Sequence, residues 1–227
     1  MEHRVSPATL ARVESLSTLP AAVLERIAAR LRAQRFDKGE TIVRFNDPSR
    51  DFYLILSGSV RVSLVGATGR ALTFQLLSAG EMFGEVSAVD GLPRTATVLA
   101  ESESVVASLS SQAFTELATS EPAFAIAILE RLARLNRRLT SRLFEYHAYD
   151  VRGRVYIELL RLWEDNGGEP IRITDRDMAS RVGTTRENIS RIHGALREQG
   201  LLERSGSRLI VRNPERIRAM LPDCEFG

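Results

Sequence analysis

The sequence predicts an α+β chain in three parts: a jelly-roll-like β-roll over residues 1–120, a long helix over 121–148, and a winged helix-turn-helix over 149–227. Three observations carry this expectation. Short β-branched and aromatic runs, broken by turn residues, fill the first half. An apolar stripe at near-heptad spacing follows Pro122. Helix, glycine turn, helix and hairpin signals then close the chain.

The chain of 227 residues is long enough for two small domains with separate cores. Its 44% hydrophobic and 26% charged residues are ordinary for a globular protein. No apolar run approaches the roughly 18 residues that span a bilayer, and residues 1–10 lack the basic-then-apolar layout of a signal peptide. A soluble, cytoplasmic protein with no membrane partner is expected. Cys224 is the single cysteine, which excludes an internal disulfide and any multi-cysteine metal site.

Net charge is only +2, so the total says nothing about a polyanionic partner. Its distribution says more. Eight arginines (Arg186, Arg191, Arg197, Arg204, Arg208, Arg212, Arg216, Arg218) stand against four acids (Glu187, Glu198, Glu203, Glu215). That excess suits a phosphate-facing patch; a solvated mixed face is the alternative.

Residues 10–35 read as helix, with Leu24, Ile27, Ala28 and Leu31 at helical spacing. From Phe36 onward come strand-like runs at 41–43, 52–56, 60–65, 72–77, 96–100 and 104–109. Turn residues punctuate them: Gly39, Asn46-Asp47-Pro48, Ser57-Gly58, Gly66 to Gly69 and Ala79-Gly80. A short helix over 111–120 precedes Pro122, a residue that suits a helix start. Ile128, Leu132, Leu135, Leu139, Leu143 and Tyr146 then recur near heptad spacing, as a seam for a second copy or as a stripe buried on the chain's own β domain.

A further helix after Asp150 ends at Asn166-Gly167-Gly168. Thr174 caps the next, Gly183 makes a turn, and Thr184 or Thr185 caps a helix to about Gln199. Ser205-Gly206-Ser207 joins the strands of a hairpin.

Phe83-Gly84-Glu85-Val86-Ser87-Ala88, followed by Pro93-Arg94-Thr95-Ala96-Thr97, is the richest stretch. Gly84 lets backbone approach a ligand closely, and the following turn of helix points N–H groups at an anion. Arg94 supplies a planar charged fork for phosphate oxygens, and Glu85 an acceptor for a ribose hydroxyl. These residues make an anion pocket or, alternatively, a structural Glu85–Arg94 ion pair.

With Lys38-Gly39-Glu40, Asp51-Phe52-Tyr53-Leu54-Ile55, Gly58 and Gly80, this cassette resembles the cyclic-nucleotide-binding fold, and nearly the whole chain resembles the CRP/FNR family of the cyclic-AMP receptor type. The resemblance implies that Arg94 binds the cyclic phosphate and Glu85 the ribose 2′-hydroxyl. Gly84, Val86, Ser87, Thr95 and Ala96 would line the pocket, with Thr140 reaching the base. It implies no cofactor but an allosteric ligand, cyclic AMP first, with cyclic GMP or cyclic di-GMP the alternatives. Leu139 departs from the threonine usual in cyclic-AMP binders, and Asn46 or Asp47 from a usual turn glycine. Thr95 resembles the threonine that binds the guanine amino group elsewhere in this fold.

Thr184-Thr185-Arg186-Glu187-Asn188-Ile189-Ser190-Arg191 places Arg186, Glu187 and Ser190 near one face at a helix start, with Arg191 a turn beyond Glu187. Arginine suits guanine O6/N7 and glutamate suits cytosine N4, as in a recognition helix; a surface helix with Glu–Arg pairs is the alternative. By resemblance the chain reads double-stranded DNA as a homodimer through residues 121–148, on a two-fold site with TGTGA-like half-sites, in concert with RNA polymerase. Thr184 and Thr185, with Arg181 and Arg208, are candidate phosphate contacts. An enzyme is not expected, since no catalytic triad, Walker loop or metal-ligand cluster is visible. Iron–sulfur sensing lacks cysteines, and His3, His147 and His193 are poorly placed for haem.

Overall fold

The computed structural model describes residues 5–11, 13–65, 71–206 and 208–222. The turn expected at Gly66 to Gly69, and His3, Ser207 and Cys224, lie outside the described residues. Two compact units divide the chain: residues 1–65 with 73–138, and residues 66–72 with 139–227.

In chain order the first unit's elements are α1 (Pro7–Leu10), α2 (Ala21–Arg30), β1 (Arg32–Phe36), β2 (Thr41–Val43), β3 (Phe52–Ser57), β4 (Ser59–Val65), β5 (Ala71–Ser78), β6 (Met82–Phe83), α3 (Glu85–Asp90), β7 (Thr97–Ala100), β8 (Ser104–Leu109) and α4 (Ser111–Ser120). Helix α5 (Pro122–Ala148) is continuous across the division between the units. The strands form two four-stranded sheets, β1-β8-β3-β6 and β2-β7-β4-β5. Phe36, Ile55, Phe83 and Val106 of the first meet Val43, Val60, Leu77 and Val98 of the second in a core between the sheets.

Leu54 and Ile55 are adjacent and both buried, because alternate strand residues face opposite sides. Ile55 faces the second sheet, while Leu54, with Phe52, Ala107 and Leu109, packs under α2, α4 and the start of α5. Phe52, Phe114 and Phe124 meet there at centroid separations of 5.4–6.4 Å.

The single helix expected over 10–35 is corrected. The chain there forms α1, one turn of 3-10 helix at Glu14–Leu16, α2, and then strand β1. Pro20 sits at the N-cap of α2 and restarts the helix. Residues 32–36 leave helix because β8 needs a partner: Arg32 to Phe36 pair in register with Ser108 to Ser104. Arginine, alanine and glutamine favour helix locally, and sheet pairing overrides them.

The second unit continues with α6 (Val151–Asp165), β9 (Ile171–Arg172), α7 (Asp175–Val182), α8 (Arg186–Glu198), β10 (Leu202–Ser205), β11 (Arg208–Val211) and α9 (Pro214–Arg218). Thr174 and Thr185 cap α7 and α8 by accepting from the backbone N–H of Asp177 and Asn188. Gly183 between them has φ 71°, the left-handed conformation of a helix C-cap. Leu159, Met178, Ile189, Leu196 and Leu209 fill the core, and the β10–β11 hairpin forms the wing.

The apolar stripe of α5 divides between uses. Ile128 is buried in the chain's own β core and Leu132 packs against it, so these two are not free for a second copy. Tyr146 donates to the Val182 carbonyl at 3.2 Å and covers the Gly183 turn. Leu139 and Leu143 stay exposed, and so do Ile126 and Leu129, which the expected seam omitted.

Candidate functional site

Strand β6 delivers the chain to Gly84, which adopts φ 82° and starts α3. A side chain at Gly84 would meet both Arg94 Nη1 and the Asp51 carbonyl at 2.8 Å, so only glycine lets this turn close against the arginine. The N–H groups of the first turn, Glu85 to Ser87, have no carbonyl behind them within the helix.

Arg94 is held by paired backbone bonds. Its N–H donates to the Asp47 carbonyl at 2.9 Å and its carbonyl accepts from Asn46 at 2.9 Å. Asn46 has φ 63°, a conformation asparagine tolerates, and so stands in for the usual glycine. The Arg94 side chain is 3% exposed. It donates from Nε to Ser49 Oγ at 3.1 Å, from Nη2 to the Asp51 carbonyl at 2.8 Å and from Nη1 to the Gly84 carbonyl at 3.4 Å. Its guanidinium lies 5.3 Å from the Tyr53 ring centroid, and that ring stacks on Phe83.

Among the described residues no carboxylate forms an ion pair with Arg94, so the alternative Glu85–Arg94 pair is absent. Ser49 and, to a lesser degree, Arg94 hold the Asp47 carboxyl below its ordinary value, but no direct ion pair among the described residues offsets the burial of the Arg94 charge, and its fork fits phosphate oxygens.

Glu85 is paired elsewhere. Arg131 of α5 donates from Nε to Glu85 Oε1 at 3.1 Å and from Nη2 to the Met82 carbonyl at 3.0 Å. Both side chains are buried, 8% and 5% exposed for Arg131 and Glu85. Burial pushes the Glu85 carboxyl above its ordinary value, and Arg131 opposes the shift. Arg131 is not among the site residues expected from the sequence. Its four-residue spacing from buried Ala127 was the available signal.

Ser87 is buried, with Oγ donating to the Pro93 carbonyl at 3.4 Å. Val86 and Ala96 are half-buried and Thr95 is exposed, all beside the Gly84–Arg94 cluster in sequence and within the same unit. Thr140 is exposed on α5 and belongs to the other unit.

On α8, Arg186, Glu187, Ser190 and Arg191 are exposed and line one shallow surface depression. Ile189, Ile192 and Leu196 face the core. Asn188 ties the group together: its amide donates to Thr184 Oγ1 at 3.0 Å and its oxygen accepts from Arg191. Glu187 is held below its ordinary carboxyl value by its own backbone N–H and by Thr185. Arg208 is exposed at the wing, but Arg181 is bound to buried Glu158 at 2.9 Å and is not a free cation.

Fold and site together define a regulator that joins a cyclic-nucleotide-binding domain to a DNA-binding helix-turn-helix. Comparison with known proteins agrees. Residues 33–121 match the cyclic nucleotide-binding domain and residues 153–220 the Crp-like helix-turn-helix domain. The chain is 30% identical to the cyclic AMP receptor protein of Thermus thermophilus over 192 residues, 85% of this chain and 87% of that one. It is 26% identical to the CRP-like cAMP-activated global transcriptional regulator of Mycobacterium tuberculosis, over 92% of this chain and 96% of that one. The solved structure of the c-di-GMP responsive global regulator CLP of Xanthomonas campestris superposes with a TM-score of 0.77, at 22% identity, covering 86% of this chain and all of that one.

The chain belongs to the CRP/FNR family, whose members are regulators of transcription and not enzymes. Among the described residues, no helix is long and apolar enough to cross a membrane.

Proposed function

We propose that this chain is a cytoplasmic homodimeric transcription factor whose affinity for a two-fold symmetric DNA site is raised by cyclic AMP. The observation that carries this reading is Arg94, a buried cation that donates to three neutral oxygens and, among the described residues, forms no ion pair. The cyclic phosphate supplies the missing charge, accepting from Arg94 and from the first N–H groups of α3. Glu85, with one oxygen on Arg131, offers the other to the ribose 2′-hydroxyl. Val86, Ser87, Thr95 and Ala96 border the ligand. The relatives from Thermus thermophilus and Mycobacterium tuberculosis carry cyclic AMP in their names, which ranks this nucleotide first.

Arg186, Glu187, Ser190 and Arg191 read base edges in TGTGA-like half-sites, and Thr184 and Thr185 touch phosphates. The second copy docks on α5 within the 121–148 segment, where Ile126, Leu129, Ala133, Asn136, Thr140 and Leu143 are exposed at alternating three- and four-residue spacing. The working division is then 1–120 for the ligand, 121–148 for dimerisation and 149–227 for DNA, with RNA polymerase as the downstream partner.

Cyclic GMP is the second reading, because Thr95 is exposed and its hydroxyl can accept from a guanine amino group that adenine lacks. Calorimetric titration with cyclic AMP, cyclic GMP and cyclic di-GMP ranks the effectors, and light scattering measures the dimer. Saturable binding of cyclic AMP, with tighter binding of a TGTGA palindrome when it is present, is expected. A protein that binds none of the three is not the sensor proposed.

A further inference from the structure

The second unit contains a charged network that neither nucleotide nor DNA contact requires. Glu158 of α6 is 1% exposed at its side chain, yet it binds three arginines from three helices. Arg142 of α5 donates to Oε2 at 2.8 Å, Arg161 of α6 to the same oxygen at 2.8 Å, and Arg181 of α7 to Oε1 at 2.9 Å. Glu145 of α5 closes the network through Arg161. Burying such a group brings little stability, since apolar residues of the same volume serve as well or better. What a buried ionic network adds is a fixed register between the elements it joins.

Here it joins the end of α5 to the first helix of the helix-turn-helix. Tyr146, one turn beyond Arg142, adds its bond to the Val182 carbonyl. A methyl on Gly183 would come within 2.6 Å of the Tyr146 hydroxyl, so α5 lies directly on the turn that leads into α8.

We propose that Glu158, with Arg142 and Arg181, forms the positioning lock through which the state of α5 reaches the DNA-reading helix. The same α5 carries Arg131, bonded to Glu85, about three turns earlier. One helix thus holds the nucleotide site's carboxylate and the helix-turn-helix by arginines. Arg142 is the direct arm from α5 to Glu158; without it, α5 keeps only the Tyr146 bond to Val182 and the Glu145–Arg161 pair, and its hold on α7 loosens. The proposal rests on the reading of α8 as the DNA reader and of the Arg94 site as the effector site.

The test uses the full chain and a TGTGA palindromic duplex, with DNA affinity measured without nucleotide and at saturating cyclic AMP. The readout is the gain, the ratio of the two. For Arg142→Met the gain should fall at least five-fold, and Arg142→Lys should restore at least half of it. By reciprocity, the tightening of cyclic AMP binding caused by DNA should fall by the same factor in Arg142→Met. A merely structural role would weaken DNA binding equally in both conditions and leave the gain untouched. An Arg142→Met gain within two-fold of wild type overturns the lock while leaving the sensor reading intact. A wild type with no gain overturns the sensor reading, and the lock with it.

Discussion

The β-sandwich unit buries a cation, Arg94, among neutral oxygens, whereas the helix-turn-helix unit buries an anion, Glu158, under three cations. Burying an ion costs several kcal/mol unless a counter-charge offsets it. The second arrangement is complete within the chain. The first lacks a direct ion pair among the described residues, and the proposed ligand would supply one. Arg131 makes the contrast local: it too is buried, but its charge is matched by Glu85, the residue after Gly84.

The largest effect should come from breaking the satisfied side. Glu158→Gln leaves three arginines around a neutral amide and should cost about 3–5 kcal/mol of stability, read as a lower denaturation midpoint with unchanged slope. A loss below about 1 kcal/mol would place the network in solvent.

On the exposed side, charges act on the partner and not on the fold. Arg186→Ala should weaken specific DNA binding by about 1–3 kcal/mol and relax discrimination at one base pair, with no change in thermal midpoint. Competition with a half-site substitution series measures this; a uniform loss over all sequences would make Arg186 a phosphate contact instead.

A smaller change sharpens the ligand side. Thr95→Ala should lower cyclic-GMP affinity by about 1 kcal/mol, one neutral hydrogen bond, and cyclic-AMP affinity less. Equal losses in paired titrations would remove Thr95 from base recognition.

The smallest effect concerns His193, buried in α8 with Nδ1 3.1 Å from Asp175 Oδ1. Burial pulls its ring below the ordinary histidine value, and Asp175 opposes this. A depressed value means the stabilising contribution is whole above the unfolded value near 6.5 and is lost as pH falls through the folded one. Stability should therefore decline on acidification, and His193→Leu should flatten that slope. Parallel slopes in the two proteins would assign the decline to other groups.

The contrast also explains which parts were legible in the sequence. The Gly84–Glu85 and Pro93–Arg94 segments, the caps Thr174 and Thr185, and the Gly183 turn depend on local backbone geometry, which short motifs encode. The arginine pairings do not. Arg131 and Arg181 look like surface charges until the fold brings buried carboxylates 46 and 23 residues away to them. Strand β1 was hidden for a similar reason: its helix-favouring residues become a strand only because β8 lies beside them. The α5 stripe misled differently, because its period is helical whether the face meets a β core, a helix-turn-helix or a second copy. Ile128 and Tyr146 met the first two.

The claim that Arg94 is a cation awaiting its anion is tested most directly by thermal unfolding of wild type and Arg94→Met, each with and without saturating cyclic AMP. Binding to the folded state alone must raise stability. The account predicts that wild type melts higher with nucleotide, and that Arg94→Met melts no lower than ligand-free wild type but gains nothing from nucleotide. A variant stabilised by cyclic AMP as much as wild type would contradict it.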